Sequence, residues 1–264
     1  MKNNKTVKVK NVVFGGAELP LIAGPCVIES RDHALKMAEA ISLIARRQGF
    51  PYIFKSSFDK ANRTSLSSFR GPGIDAGLAI LQDIKNNLDI PVLTDVHLPE
   101  QVKLVAEIAD VIQVPAFLCR QTDILQAVAG TGKPVNIKKG QFLSPWKMNN
   151  VVEKLVESGA TDILITERGS TFGYENLVVD LRSIPIMQET GWPVIFDATH
   201  SAQVPGIYGG HTGGMRAYIP TMIKAAVAAG CNGLFMEVHD QVEKARSDSA
   251  TQWPLDKLEE TLAQ

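Results

Sequence analysis

Residues 92–114 read VLTDVHLPEQVKLVAEIADVIQV. The stretch opens and closes on short runs rich in Val, Ile and Leu (92–95 and 111–114), each bounded by Pro, Asp or Ala, as buried strands tend to be. Between them, residues 101–109 place Val102, Val105, Ala106 and Ala109 at the spacing of one helical face. Strand, helix, strand is a parallel βαβ unit. The same rhythm recurs outward in both directions. Further strands are expected at 21–23, 52–55, 135–138, 163–166, 194–197 and 233–237, eight in all. Helical patterns lie at 33–48, where Leu35, Ala38, Ile41, Ile44 and Ala45 form the stripe, and at 75–87, 151–159 and 215–230. Eight units suit a closed (β/α)8 TIM barrel. An open doubly wound sheet would call for five or six units, or a Gly-rich loop after the first strand, and the sequence has neither.

The 264 residues, 45% of them hydrophobic, are enough for one such domain, with 1–19 as an N-terminal extension and 20–264 as the barrel. The extension alternates apolar and polar residues around Gly15-Gly16. It reads as a β-hairpin closing the barrel bottom. A formal net charge of -1 gives no support for nucleic acid or an anionic membrane as partner. The sparse cysteines, Cys26, Cys119 and Cys231, argue against a disulfide framework and for a reducing cytoplasm. No signal peptide is read at the N-terminus, and no apolar run reaches the about 20 residues that span a bilayer.

Function should sit where the strands end, because those ends face the mouth of a barrel. Here they are polar. Lys55, Lys60, Arg63, Arg120, Lys138 and Arg168 place six cations near one mouth, partly offset by Asp95, Asp197 and Glu237. A phosphate monoester carries about -1.5 to -2 at neutral pH, so the surplus suits two phosphates, or a phosphate and a carboxylate. Arg31 and Lys139 read equally well as surface residues paired with acids. Cys26, His200 and Glu237 end strands that are neighbours around a closed barrel, and Asp248 follows on the next loop. Thiolate, imidazole and carboxylates suit a divalent transition metal, although a buried Cys is as often inert packing.

The stretches LIAGPCVIES (21–30), FKSSFDKANRTSLSSFRGPG (54–73), LTDVH (93–97), IQVPAFLCRQTD (112–123), NIKKGQFLSP (136–145), LITERGSTFGY (164–174), FDATHS (196–201) and SDSATQWPL (247–255) together resemble the 3-deoxy-D-manno-octulosonate 8-phosphate synthases. The likeness runs from about residue 12 to 260. Its most specific part is KANR at 60–63, where the related seven-carbon synthases carry a K-P-R-T-S pattern. The resemblance implies condensation of phosphoenolpyruvate with D-arabinose 5-phosphate and water, a step toward lipopolysaccharide. It implies phosphoenolpyruvate against Lys55, Ser57, Lys60, Gln113, Lys138 and Arg168. It implies arabinose 5-phosphate against Asn62, Arg63, Thr64 and Asp95, with Arg120 arriving from a neighbouring subunit of a homotetramer. His200, Lys138 and Asp248 are the implied catalytic groups. The family's metal-independent branch has Asn in place of Cys26 and Cys-Asp-Gly in place of Ser247-Asp248-Ser249. The resemblance therefore implies a metal on Cys26, His200, Glu237 and Asp248, with iron, zinc, manganese and cobalt all compatible. The rival readings are a seven-carbon synthase acting on erythrose 4-phosphate, a sialic acid synthase, and a non-catalytic barrel that binds a phosphometabolite.

Overall fold

The computed structural model describes residues 5–63, 65–174, 176–208 and 211–264. Eight parallel strands close on themselves: β1 (Leu21–Gly24), β2 (Tyr52–Lys55), β3 (Val92–Asp95), β4 (Val111–Val114), β5 (Val135–Lys138), β6 (Ile163–Glu167), β7 (Val194–Asp197) and β8 (Leu234–His239). Each pairs with the next, β8 pairs with β1, and no strand is left as an edge. Every residue of these strands is buried. That is why they read as short unbroken apolar runs rather than as alternating ones.

Around the barrel lie α1 (Arg31–Arg47), α2 (Ile74–Leu88), α3 (Pro99–Ile108), α4 (Thr122–Ala129), α5 (Met148–Glu157), α6 (Ser183–Gln188), α7 (Ile219–Ala228) and α8 (Leu258–Leu262). Helix α1 starts at Ser30, whose hydroxyl accepts the His33 amide at 3.2 Å and so satisfies one of the first-turn donors. It buries Ala34, Met37, Ala38, Ile41, Ile44 and Ala45, the stripe expected from the sequence. The long helices are where periodicity placed them. The C-terminal part of the expected 215–230 helix is α7, while residues 216–218 form a separate 3-10 turn.

The N-terminal hairpin pairs Val7–Val9 with Val12–Phe14. Its turn falls at Lys10-Asn11, with Lys10 at φ 51°, not at the glycine pair. Gly15, at φ 79°, instead leads the chain out of the second hairpin strand. Phe14 packs where the barrel strands begin, since a Cβ on Gly233, just before β8, would lie 3.1 Å from its ring. At the opposite end of β1, Gly24 runs so close to β2 that a Cβ there would overlap the Lys55 carbonyl. The next residues stay against the end of β2, where Ser56 Oγ donates to the Pro25 carbonyl at 2.9 Å.

Candidate active site

A cavity of about 400 Å³ opens at the C-terminal ends of the strands. Lys55, Lys60, Asn62, Asp95, Gln113, Lys138, Arg168 and His200 all line it. The expected cation cluster is thus real but smaller than the sequence suggested. Arg63 donates to the carbonyls of Phe69 and Arg246, both at 2.9 Å, and is not part of the lining. Arg120 is exposed and lies outside it as well. Arg70, which sequence reasoning passed over, does line the cavity and pairs with Asp59. Ser57 is buried behind the lining and accepts from Lys55 Nζ at 3.2 Å. Thr64 lies outside the described residues.

The walls are set by strand alternation and by buried hydrogen bonds. Lys138 and Lys139 are neighbours at the end of β5, so they point to opposite faces. Lys138 faces the cavity. Lys139 turns away to a fully buried position, 3.5 Å from Glu167, and donates to Gly169 O and Ser170 Oγ at 3.0 Å. It is a structural lysine, and the alternative of a surface ion pair holds only for Arg31, which meets Asp83 at 2.7 Å. A ladder of polar side chains crosses β4, β5 and β6. Thr166 Oγ1 donates to Asn136 Oδ1 at 2.6 Å, and Asn136 Nδ2 donates to Gln113 Oε1 at 2.9 Å. The ladder leaves the Gln113 amide N–H groups to face the cavity.

The other side of the mouth is anionic. Cys26, Glu237 and Asp248 bring ligand atoms within 4.8 Å of one another. His200 Nε2 lies 3.6 Å from both Glu237 Oε1 and Asp248 Oδ2. Ligands of one tetrahedral ion at about 2.0–2.3 Å stand roughly 3.3–3.8 Å apart, and the His200–Glu237, His200–Asp248 and Cys26–Asp248 separations of 3.6 Å fall in that range. Two further features fit. Glu237 Oε2 is buried with no hydrogen-bond partner among the described residues. His200 Nδ1 lies 2.7 Å from Asp197 Oδ2, which places the ring proton on Nδ1 and turns the Nε2 lone pair toward the cluster, the usual carboxylate–histidine support of a metal ligand. Asp197 ends β7 and also binds Lys138 Nζ, Thr199 Oγ1 and the His200 amide. Sequence reasoning counted it only as an offsetting charge.

These charges shift one another. Burial works against the Asp197 carboxylate, but His200 and Lys138 overcome it and hold the group well below the usual range. Glu237 behaves alike: burial opposes its charge, and His200, Lys55 and Lys60 prevail. Burial lowers Lys138 below the ordinary lysine value despite Asp197. At Lys60 burial is outweighed by the surrounding carboxylates Glu237, Asp248 and Asp95, which raise it. Burial, with Asp248 and Glu237 adding to it, pushes the Cys26 thiol far up. Its Sγ–H donates to Ser247 Oγ at 2.9 Å.

A second group, Glu29, His33 and His239, also gathers ligand atoms. Here the hydrogen bonds argue for a brace. The Gln241 amide donates to His239 Nδ1 at 2.9 Å, so the ring proton sits on Nε2 and faces Glu29 Oε1 at 3.2 Å. A ring so held has no lone pair for a cation. Glu29 Oε1 also accepts the Arg246 amide at 2.8 Å, which ties the loop after β1 to the loop that carries Asp248.

Residues 4–264 match the DAHP synthetase I family. The chain belongs to that family. It is 57% identical over 251 residues to a protein of Desulfosudis oleivorans, covering 95% of this chain and 90% of the relative. It is 54% identical over 255 residues to one of Trichlorobacter lovleyi, covering 96% and 94%. It is 56% identical over 249 residues to one of a Cyanothece species, covering 94% and 91%. All three are named 2-dehydro-3-deoxyphosphooctonate aldolase. Within the family the chain therefore sits among proteins named for an eight-carbon product, in keeping with KANR at 60–63.

Proposed function

We infer that this protein condenses phosphoenolpyruvate with D-arabinose 5-phosphate and water to give 3-deoxy-D-manno-octulosonate 8-phosphate and inorganic phosphate. One observation carries the reading: Lys55, Lys60, Gln113, Lys138 and Arg168 share a single cavity with Asn62 and Asp95, so a three-carbon acid carrying a carboxylate and a phosphate, and a polyhydroxy aldehyde phosphate, can lie end to end. Lys60, Lys138, Arg168 and the Gln113 amide bind the phosphate and carboxylate of phosphoenolpyruvate, with Lys55 and Ser57 behind them. Asn62 and Asp95 meet the sugar's hydroxyls. Arg63, Thr64 and a partner's Arg120 are proposed for its phosphate.

Held this way, carbon 3 of phosphoenolpyruvate faces carbon 1 of the aldehyde, a proximity effect. The new carbon–carbon bond forms there, and the aldehyde oxygen takes up a proton. Water adds at carbon 2, and the bond from carbon 2 to the phosphate oxygen breaks. Lys138, already below its ordinary value through burial, is suited to give and recover a proton at the developing oxygen. His200, which lines the cavity beside Lys138, is proposed to orient the water, and Asp248, 3.6 Å from His200, to take up its proton. Cys26, His200, Glu237 and Asp248 would hold a divalent transition metal (iron, zinc, manganese or cobalt), which supplies charge stabilisation and acidifies water when bound. Among the described residues no helix is long and apolar enough to cross a membrane. We place the enzyme in the cytoplasm as a homotetramer.

The direct test is phosphate release. Phosphoenolpyruvate mixed with arabinose 5-phosphate should release phosphate in step with the eight-carbon product, and erythrose 4-phosphate should be poorer by about tenfold or more in kcat/KM. Equal use of both sugars would move the chain to the seven-carbon reaction. No release with either would point to a binding protein.

A further inference from the structure

We propose that Gln203 is a positioning residue that couples the phosphoenolpyruvate end of the mouth to its metal end. The proposal rests on the functional reading above. Gln203 follows the 3-10 turn His200–Ala202 and opens the strand Gln203–Tyr208. It is buried, and it is not part of the cavity lining. Its Oε1 accepts from Arg168 Nη2 at 2.6 Å, and its Nε2 donates to Asp248 Oδ2 at 3.1 Å.

Both ends of that bridge matter. The terminal nitrogen Nη1 of Arg168 is buried with no hydrogen-bond partner among the described residues, while Arg168 lines the cavity. One fork of the arginine is therefore fixed and the other left for an anion. Asp248 Oδ2 is the atom that also lies 3.6 Å from Cys26 Sγ and 3.6 Å from His200 Nε2. Asp248 itself sits at φ 46°, in the left-handed region that among side-chain-bearing residues Asp and Asn enter most readily. It is held there by the Thr251 and Gln252 amides on its carbonyl, both at 3.0 Å.

The Gln203 amide offers an acceptor to the guanidinium and a donor to the carboxylate from two separate atoms of one side chain. Met has nearly the same length and no strong polar atom. Glu keeps an acceptor for Arg168 but sets a second carboxylate against Asp248. With Gln203 in place, a cation that fixes Asp248 also fixes Gln203 and Arg168 before the anion arrives. Each ligand thereby removes part of the ordering cost of the other. Such coupling is reciprocal by linkage.

The test is a binding cycle on the full-length protein, with no turnover. Cobalt affinity is measured by chelator competition, read from thiolate–cobalt absorption, with and without phosphoenolpyruvate. Phosphoenolpyruvate affinity is measured with and without cobalt. In the wild type each ligand should tighten the other by the same factor, about fivefold or more. In Gln203→Met that factor should fall toward one, while each ligand alone still binds within a few-fold of wild type. Gln203→Glu should also lose the factor while keeping phosphoenolpyruvate affinity in the absence of metal. If circular dichroism shows that Gln203→Met is unfolded, Gln203→Glu decides. A folded Gln203 variant with the wild-type factor overturns the proposal, as does a wild type that binds both ligands independently. A wild type that binds neither ligand overturns the functional reading together with it.

Discussion

Cys26 has a neighbourhood unsuited to a free thiolate. It is fully buried, and burial together with Asp248 and Glu237 keeps its proton on. A cation in the cluster reverses that balance, because a metal takes the thiolate and offsets both carboxylates. Cys26→Ala should therefore lower metal affinity by more than about tenfold, while the fold survives loss of one sulfur. The measurement is metal content after purification without chelators, beside a melting curve. Full metal content in the variant would return Cys26 to inert packing. At this scale the sequence was informative where a residue's location follows from its place at a strand end: Lys55, Gln113, Lys138 and Arg168 reach one cavity, and Cys26 reaches the cluster of Glu237 and Asp248. It was silent where the role depends on a long-range partner. Nothing in the spacing of DATHSAQ says that Gln203 meets Arg168 and Asp248, or that Asp197 orients His200. Lys139 was ambiguous until the pleat of β5 put it on the face away from Lys138.

The loops after β1 and β8 are joined by the brace of Glu29, His33, His239 and Asp240, and Asp240 gives that brace a measurable pH signature. Burial raises its carboxyl, but hydrogen bonds from Lys36 at 2.6 Å and His33 at 3.1 Å outweigh this and bring it to about 2 from the ordinary 3.8. A carboxyl lowered on folding adds stability that is complete above its unfolded value and is lost as pH falls through its folded one. The contribution is present above pH 3.8 and disappears toward about 2. Asp240→Asn should be less stable at neutral pH, and its urea midpoint should fall less steeply through that window. The loss should shrink in high salt, since Lys36 is exposed. Parallel acid limbs for the two proteins would refute the brace as an electrostatic device. The elements themselves were legible in proportion to their length. Helix α1, with 17 residues, shows a full stripe, whereas α4, α6 and α8, with 8, 6 and 5 residues, are too short for a periodic signal. The hairpin was legible as a hairpin, but its turn was drawn to the glycine pair because glycine is the commoner turn residue.

The closed barrel was readable from eight recurring strands, whereas the proposed assembly leaves no comparable mark on one chain's pattern. A surface that would suit it lies beside the mouth. Phe117, Phe142, Trp146 and Phe172, on the loops that follow β4, β5 and β6, are 52%, 56%, 62% and 71% exposed. Exposed rings gathered near one rim mark a surface suited to burial against another molecule. Arg120 follows the same β4 loop and stays out of its own cavity, as a residue acting on a neighbour's site would. If it serves a partner, two dead enzymes should make a live one. Arg120→Ala has an intact mouth but nothing to lend, and Lys138→Ala has a broken mouth but an intact Arg120. Each alone should release little phosphate at low arabinose 5-phosphate. Chains mixed at random in one tetramer should restore about a quarter of the sites, since half the mouths are intact and half of those face an intact Arg120. The restored sites should show the wild-type KM for arabinose 5-phosphate. If Arg120 acted within its own chain, neither parent could complete a site and mixing would recover nothing. Co-expression under two affinity tags, with isolation of the doubly tagged species, gives the measurement. The same isolation shows whether the chains assemble at all.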